Sequence, residues 1–292
     1  MRHIEVQTLV NQPLSLAEGP VWDESSGVLW FVDITEKLIL RLEPKSRALD
    51  RFRMPAEVGS LGLATGGRLV VALRTGVHLF DPTTGMLEFL VNPEPTPATN
   101  RLNDGKVGPD GNFWVGSLDD RPTREPVAAL YRITPAGVST RVVEGLYCSN
   151  GLAWSPDGRT MYHSDSRPAY VQIFDFDAAK GQASNPRRLL MLDEASGRPD
   201  GAAVDVEGYY WSAGVTAGVI NRIAPDGTVV ERIPLPVAAP TMPCFGGPDM
   251  RTLFVTSLAS DRTGTWQAGS VLSFRADVAG IRSCRFGERT SA

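Results

Sequence analysis

Six times along the chain an apolar stretch runs into a tight turn and leaves it through an aromatic-rich strand, and no other feature of the sequence restricts the fold as strongly. The turns read DESSG at 23–27, ATGG at 64–67, GPDG at 108–111, SPDG at 155–158, DVEG at 205–208 and GPDM at 247–250. Each holds residues that tight turns need: Gly reaches positive φ at no steric cost, Pro presets φ, and Asp or Ser bonds its own backbone. The strands that follow share one character: VLWFVDI, RLVVALR, NFWVGSL, TMYHSDS, YYWSAGV and TLFVTSL. Most repeats continue into a third strand, as in GVHLFDP or VQIFDFD.

Windows with helical spacing and no Gly or Pro are nearly absent; 39–49 and 193–197 come nearest, and both are short. An antiparallel unit repeated at this spacing predicts an all-β fold, a six-bladed β-propeller. One four-stranded blade cannot cover both of its faces, whereas six around an axis cover one another. A β-sandwich would not place a turn at one phase in six successive units. The expected organisation is a single propeller domain over 1–292, whose first strand (4–10) closes the last blade so that no long edge stays unpaired. Pro93, Pro95 and Pro97 read as a linker between blades, and Trp22, Trp30, Trp114, Trp154 and Trp211 as packing between them.

Composition narrows the partners. With 29 basic and 33 acidic side chains the net charge is −4, and no basic run exists, which argues against nucleic acid. No segment approaches the ~18–20 consecutive apolar residues of a spanning helix, so no membrane partner is expected. The opening MRHIEVQTLVNQPL lacks the layout of a signal peptide, and Cys148, Cys244 and Cys284 are too few and scattered for a disulfide framework or zinc cluster; a cytoplasmic location is expected.

A glycine lies upstream of each turn, and the residues before these glycines are Glu18, Leu61, Asp104, Asn150, Asp200 and Phe245. If they open the innermost strands, they point at the axis from one end of the ring. Asp and Asn before Gly are also common turn formers, but Glu18 is a poor one, and four oxygen-bearing side chains in register are harder to dismiss. Convergent carboxylates repel unless a cation sits among them. Oxygen donors suit Ca²⁺, Mg²⁺ or Mn²⁺, with Zn²⁺ or Fe²⁺ as further options, and with His3, His78 and His163 the only histidines a His-built site is not expected. His163-Ser164-Asp165 contains the residue types of a serine triad, but adjacent strand residues alternate faces and do not converge. Cys148 shares a face with Asn150 and reads as a small buried hydrophobe, while Cys244 and Phe245 read as channel wall.

The segments SLAEGPVWDESSGVLWFVDI (15–34), NRLNDGKVGPDGNFWVGSLDD (100–120), CSNGLAWSPDGRTMYHSDS (148–166), RPDGAAVDVEGYYWSA (198–213) and PTMPCFGGPDMRTLFVTS (240–257) resemble the SMP-30/gluconolactonase/LRE family across essentially the whole chain. The resemblance implies a six-bladed propeller, one divalent metal ion and hydrolysis of sugar lactones to aldonic acids. It implies Glu18, Asn150 and Asp200 as metal ligands and Arg101 with Asn103 as substrate contacts, Asn103 taking the place that the glycine alignment gives to Asp104. An acidic residue after the third blade's second strand can bind substrate hydroxyls in this family; here Asp119, Asp120 or neither takes that role, which leaves the sugar undefined. Within this reading Asp200 is the catalytic base, Glu18 balances charge, Asn150 is a neutral ligand, Arg101 offers a forked donor and Asn103 orients substrate or water. Two other readings share the same residues: a non-catalytic calcium-binding propeller scaffold, and an esterase or phosphotriesterase on the same metal.

Overall fold

The computed structural model describes residues 4–10, 12–94, 99–261 and 267–289. Its described residues form six four-stranded antiparallel sheets arranged as the blades of a propeller. Blade I comprises Ala17–Asp23, Val28–Asp33, Leu38–Leu42 and Leu49–Arg53, and blade II Val58–Leu63, Leu69–Leu73, Gly76–Phe80 and Leu87–Val91. Blade III comprises Asn100–Val107, Phe113–Asp119, Ala128–Ile133 and Ser139–Leu146, and blade IV Ser149–Trp154, Thr160–Asp165, Tyr170–Asp177 and Gln182–Met191. Blade V runs Pro199–Val204, Tyr210–Gly214, Val219–Ile223 and Val229–Pro234. Blade VI takes Pro240–Gly246, Thr252–Ser257 and Val271–Arg275 from one end of the chain, and its outermost strand, Gln7–Thr8, from the other, with Gln7 opposite Ser273 and Thr8 opposite Leu272. The windows nearest to helical spacing are a strand (Leu38–Leu42) and a turn; one three-residue 3₁₀ turn, Thr65–Gly67, stands outside the sheets.

Burial explains the sequence pattern. Inner strands are covered on both sides by neighbouring blades, so Val58–Leu63 and Ser149–Trp154 are buried at every position, whereas the outermost Leu49–Arg53 is mostly exposed. The tryptophans pack between blades as their recurrence predicts. Trp22 stacks on Phe254 at 5.5 Å, joining blades I and VI; Trp114 meets Trp154 edge-on at 6.2 Å, joining III and IV; Trp211 meets Phe245 at 5.4 Å, joining V and VI. Such aromatic pairs contribute about 0.5–1.5 kcal/mol beyond their buried area. Pro93 falls between blades II and III, while Pro95 and Pro97 lie outside the described residues.

The six recurring turns share one end of the ring, here called the bottom. A C-terminal strap crosses beneath them. Gly280 bonds Met250 O, Ile281 bonds Val204 O, Phe286 bonds Leu63 O and Gly287 bonds Gly111 O, while Arg285 pairs with Asp23 at 2.7 Å. The strap thus touches blades VI, V, I, II and III in turn, with Phe286 only 3% exposed. Above it Lys106 reaches across the axis from blade III to donate to Ala202 O of blade V at 2.6 Å. The axial space on the far side of Lys106 from the strap is here called the cup, and that end of the ring the top.

Candidate active site

Counted from the bottom turns, Glu18, Asn103, Asn150 and Asp200 occupy one position, each five residues ahead of the first turn residue: Asp23, Gly108, Ser155 and Asp205. Counting back from the glycines puts Asp104 where Asn103 belongs, because the glycine is displaced by one residue in blade III. The pairing of each inner strand slips at this level: between Glu18 and Val21, Leu102 and Gly105, Asn150 and Ala153, and Pro199 and Ala202. A bulge of this kind turns a side chain out of the ladder. Gly19 and Gly151 make two of the bulges possible, at φ of +55° and +64°. A Cβ on Gly151 would also lie 2.3 Å from Tyr210 Oη.

Blades II and VI place Gly59 and Met242 at the same position. A Cβ on Gly59 would stand 2.4 Å from Leu102 O, so there the ring closes by backbone contact. Leu61 and Phe245 do not face the axis as the glycine alignment expects. Leu61 is buried with Val21 and Trp30 between the first two blades, and Phe245 lies against Trp211. Cys244 is within electrostatic reach of Lys106.

Glu18 and Asp200 confront each other across the cup. Burial pushes the Glu18 carboxyl well above its ordinary range, and the Asp200 and Asp104 charges push it further; the Gly19 N–H, donating to Glu18 Oε2 at 2.8 Å, and Arg101 oppose this. Burial and then Asp104 raise Asp200 to about 8, with Arg101 opposing. No hydrogen-bond donor among the described residues reaches the Asp200 carboxylate. Asp104, also raised by burial, is tempered by Lys106 and accepts from Leu152 N–H at 3.3 Å, while its Oδ1 is buried without a hydrogen-bond partner. Among the described residues no three His, Cys, Asp or Glu side chains gather as a metal cage. What gathers is two carboxylates within electrostatic reach of each other, Glu18 and Asp200, with the Asn150 amide linked through Ser166 to Pro199, the residue before Asp200. That donor set fits a hard divalent cation.

Asn150 is tied in by its neighbours. Its Nδ2 donates to Ser166 Oγ at 2.7 Å, Ser166 Oγ donates to Pro199 O at 2.7 Å, and Asn103 Nδ2 donates to Asn150 Oδ1 at 3.1 Å. Arg101 Nη1 donates to Asn103 Oδ1 at 2.9 Å, and its Nε lies 3.7 Å from Asp120. Asp120 in turn pairs with Arg74 of blade II. Asp119 points elsewhere: both of its oxygens accept from the 121–125 loop, and the Arg121 guanidinium first among these donors holds it down at about 2. Ser166 and Arg74 carry no sequence signal, since each lies at the top of a blade where loop geometry alone decides contacts.

No nucleophile completes a triad. Asp165 accepts from the N–H groups of Tyr147 and Cys148 at 2.9 and 3.1 Å. His163 is fully buried, and burial alone lowers it to about 3. The Gln172 amide donates to its Nδ1 at 3.0 Å, so Nε2 carries the proton and donates to Ser149 Oγ at 2.8 Å. An imidazole in that tautomer cannot deprotonate Ser149. Burial, followed by the Asp200 charge, drives the Cys148 thiol up to about 12, so it stays protonated.

The profile of the SMP-30/Gluconolactonase/LRE-like region matches residues 16–259. A 6-deoxy-6-sulfogluconolactonase of Pseudomonas putida is 37% identical over 94% of this chain and 96% of its own. Regucalcin of Xenopus laevis is 32% identical over 91% of each chain. Among solved structures, regucalcin from Agrobacterium tumefaciens, described as a calcium-binding protein, superposes with a TM-score of 0.91 at 27% identity over 98% of both chains. A match over most of the length, in sequence and in fold, leaves one conclusion: the chain belongs to the SMP-30/gluconolactonase/LRE family.

Proposed function

We propose that the cup hydrolyses sugar lactones to aldonic acids in the cytoplasm, with one divalent cation held by Glu18, Asn150 and Asp200. One observation carries the reading: the buried Glu18 carboxylate and the half-buried Asp200 carboxylate repel each other with one protein donor, Gly19 N–H, between them. Such a pair is costly unless a cation or a proton joins it. When bound, the cation supplies Lewis-acid stabilisation of the charge that develops on the lactone carbonyl oxygen. The side chains do the rest. Asp200 accepts the proton of the attacking water, because its carboxylate is free of hydrogen bonds and stands inside the cup. Glu18 offsets the cation's charge. Arg101 donates to substrate oxygens, held at its angle by Asn103 and Asp120. Asn103, fixed by Arg101 and Asn150, keeps Asn150 Oδ1 facing inward.

The names of the relatives support lactone chemistry, and the regucalcin relatives keep the calcium-scaffold reading as the alternative. Arg101 separates the two, since a binding site for calcium alone has no use for a guanidinium beside its ligands. The test is proton release from glucono-δ-lactone before chelation, after it, and after re-addition of single divalent ions. The expected result is loss of activity on chelation and recovery with at least one ion; undiminished hydrolysis in the stripped protein overturns the metal-dependent reading.

A further inference from the structure

At the top of blades II and III four charged side chains alternate in sign: Glu57, Arg74, Asp120 and Arg101. Glu57 stands just before Val58–Leu63, Arg74 just after Leu69–Leu73 and Asp120 just after Phe113–Asp119, all at the end of the ring away from the recurring turns. Arg74 is fastened twice to its own blade. Its backbone N–H donates to Glu57 O at 2.9 Å and its Nε to Glu57 Oε2 at 3.0 Å. Its Nη2 crosses to blade III and donates to Asp120 Oδ2. The other oxygen of that carboxylate, Oδ1, lies 3.7 Å from Arg101 Nε.

Arg101 ends the series in different surroundings. The side chains of Glu57, Arg74 and Asp120 are 32%, 32% and 35% exposed, that of Arg101 only 11%. A charge buried so far needs a partner of opposite sign, and among the described residues Asp120 is the one carboxylate that pairs with it. The partnership is not automatic. Arg101 lies opposite Leu118, and Asp120 is anchored two places further on by its N–H, which donates to Thr99 O at 2.9 Å. The two meet on the diagonal of an antiparallel pair, and at 3.7 Å they share charge without a hydrogen bond. Arg74 supplies the bond that keeps the Asp120 carboxylate in place. On its other side Arg101 Nη1 donates to Asn103 Oδ1 at 2.9 Å and to Leu102 O at 3.2 Å. A guanidinium is planar, so directing Nε and Nη1 directs Nη2 as well. That nitrogen has no hydrogen-bond partner among the described residues.

Building on the lactone reading above, in which Arg101 donates to the substrate, we propose that Arg74 is a positioning residue. It holds Asp120 against Arg101 and so fixes the direction in which Arg101 Nη2 meets substrate oxygens. Asp120 has both oxygens committed to guanidinium groups and, like Asp119, takes no substrate hydroxyl. Blade II, with Gly59 at the level of Glu18, enters recognition through this one contact.

The experiment measures KM and kcat of the metal-loaded full chain on glucono-δ-lactone, and calorimetric affinity for gluconate. The variants are Arg74→Gln, Arg74→Lys, Asp120→Asn and the double variant Arg74→Gln/Asp120→Asn. Arg74→Gln is expected to raise KM ~5-fold, the upper range for a partly exposed ion pair, with kcat held, because the contact is weakened alike in bound substrate and transition state. Arg74→Lys recovers part of the loss. Asp120→Asn raises KM at least as far, and the double variant matches Asp120→Asn alone, since Arg74 acts only through Asp120. A pair that merely staples two blades together lowers the melting temperature and leaves KM unmoved. An unchanged KM in Arg74→Gln therefore overturns the proposal, and so do additive effects, which make either residue a substrate contact in its own right. If lactone is cleaved and Arg74→Gln binds as wild type does, the positioning role falls and hydrolysis stands. If no lactone is cleaved while gluconate binds and Arg74→Gln weakens it, hydrolysis falls and the positioning role stands. A wild type that neither cleaves the lactone nor binds gluconate removes both.

Discussion

One residue type does opposite work at the two ends of the same strand region. Asp205, at the bottom of blade V, is fully buried and accepts from Glu207 N, Tyr209 N, Trp211 Nε1 at 2.9 Å and Arg222. Asp200, five residues earlier at the top, accepts from no donor among the described residues. The contrast repeats around the ring. Asp23 below Glu18 is held by Ser25, Ser26 and Arg285, and Asp110 below Asn103 by Asn112 and Trp114. A carboxylate that serves the fold is saturated by its surroundings, because an unpaired buried acceptor costs about 1–3 kcal/mol. Asp200, proposed above as a ligand to the cation, is left open, and the fold carries that cost.

The contrast breaks most readily at Asp200. Asp200→Asn is expected to lower lactone turnover by at least ~10²-fold, the lower range for loss of a general base. The same change removes a repelling charge and raises the melting temperature of the cation-free protein. Near-normal turnover would erase the distinction between the two ends. A smaller effect is expected at Ser166, which touches Asn150 but faces no substrate. Ser166→Ala should weaken cation affinity ~10-fold, as loss of a ligand's support typically does, while kcat at saturating cation holds; calorimetry with the metal reads this directly. At the bottom the signs reverse. Asp205→Asn should cost about 1–3 kcal/mol in denaturant unfolding, with turnover per folded molecule preserved.

A separate effect concerns pH. His163 is neutral when folded, its value lowered by burial from 6.5 to about 3. Between those values the unfolded chain binds the extra proton, so this residue makes stability fall as pH drops from 6.5 toward 3 and adds nothing further below. His163→Gln should flatten that part of the stability curve; an unaltered slope refutes the assignment.

Turn chemistry made the ring legible, because Gly, Pro and Asp act within four residues of themselves. Glu18, Asn150 and Asp200 each precede one of the six upstream glycines, and the family resemblance, not the turns, implied them as ligands. The third blade was harder. Its Asn103-Asp104-Gly105 run offers two candidates within one bulge, and only their contacts differ: Asn103 bonds Arg101 and Asn150, whereas Asp104 accepts from Leu152 N–H. Leu61 and Phe245 misled the glycine alignment because a glycine marks close approach as readily as it marks a site. Asp119 and Asp120 are neighbours in sequence, and only the bend after blade III's second strand sends one to the loop and the other to Arg101. The strap has no periodicity and matches no repeat, so nothing in its sequence announces what lies above it.

That strap has a consequence for traffic. With residues 280–287 lying under the ring and Lys106 spanning the axis, the described residues cross the bottom end and leave the top for exchange. Whatever enters at the top leaves by the same end, now carrying a fresh carboxylate. Departure of the acid and arrival of the next molecule therefore contend for one passage, and a stretch of chain remote from the chemistry sets the terms of exchange.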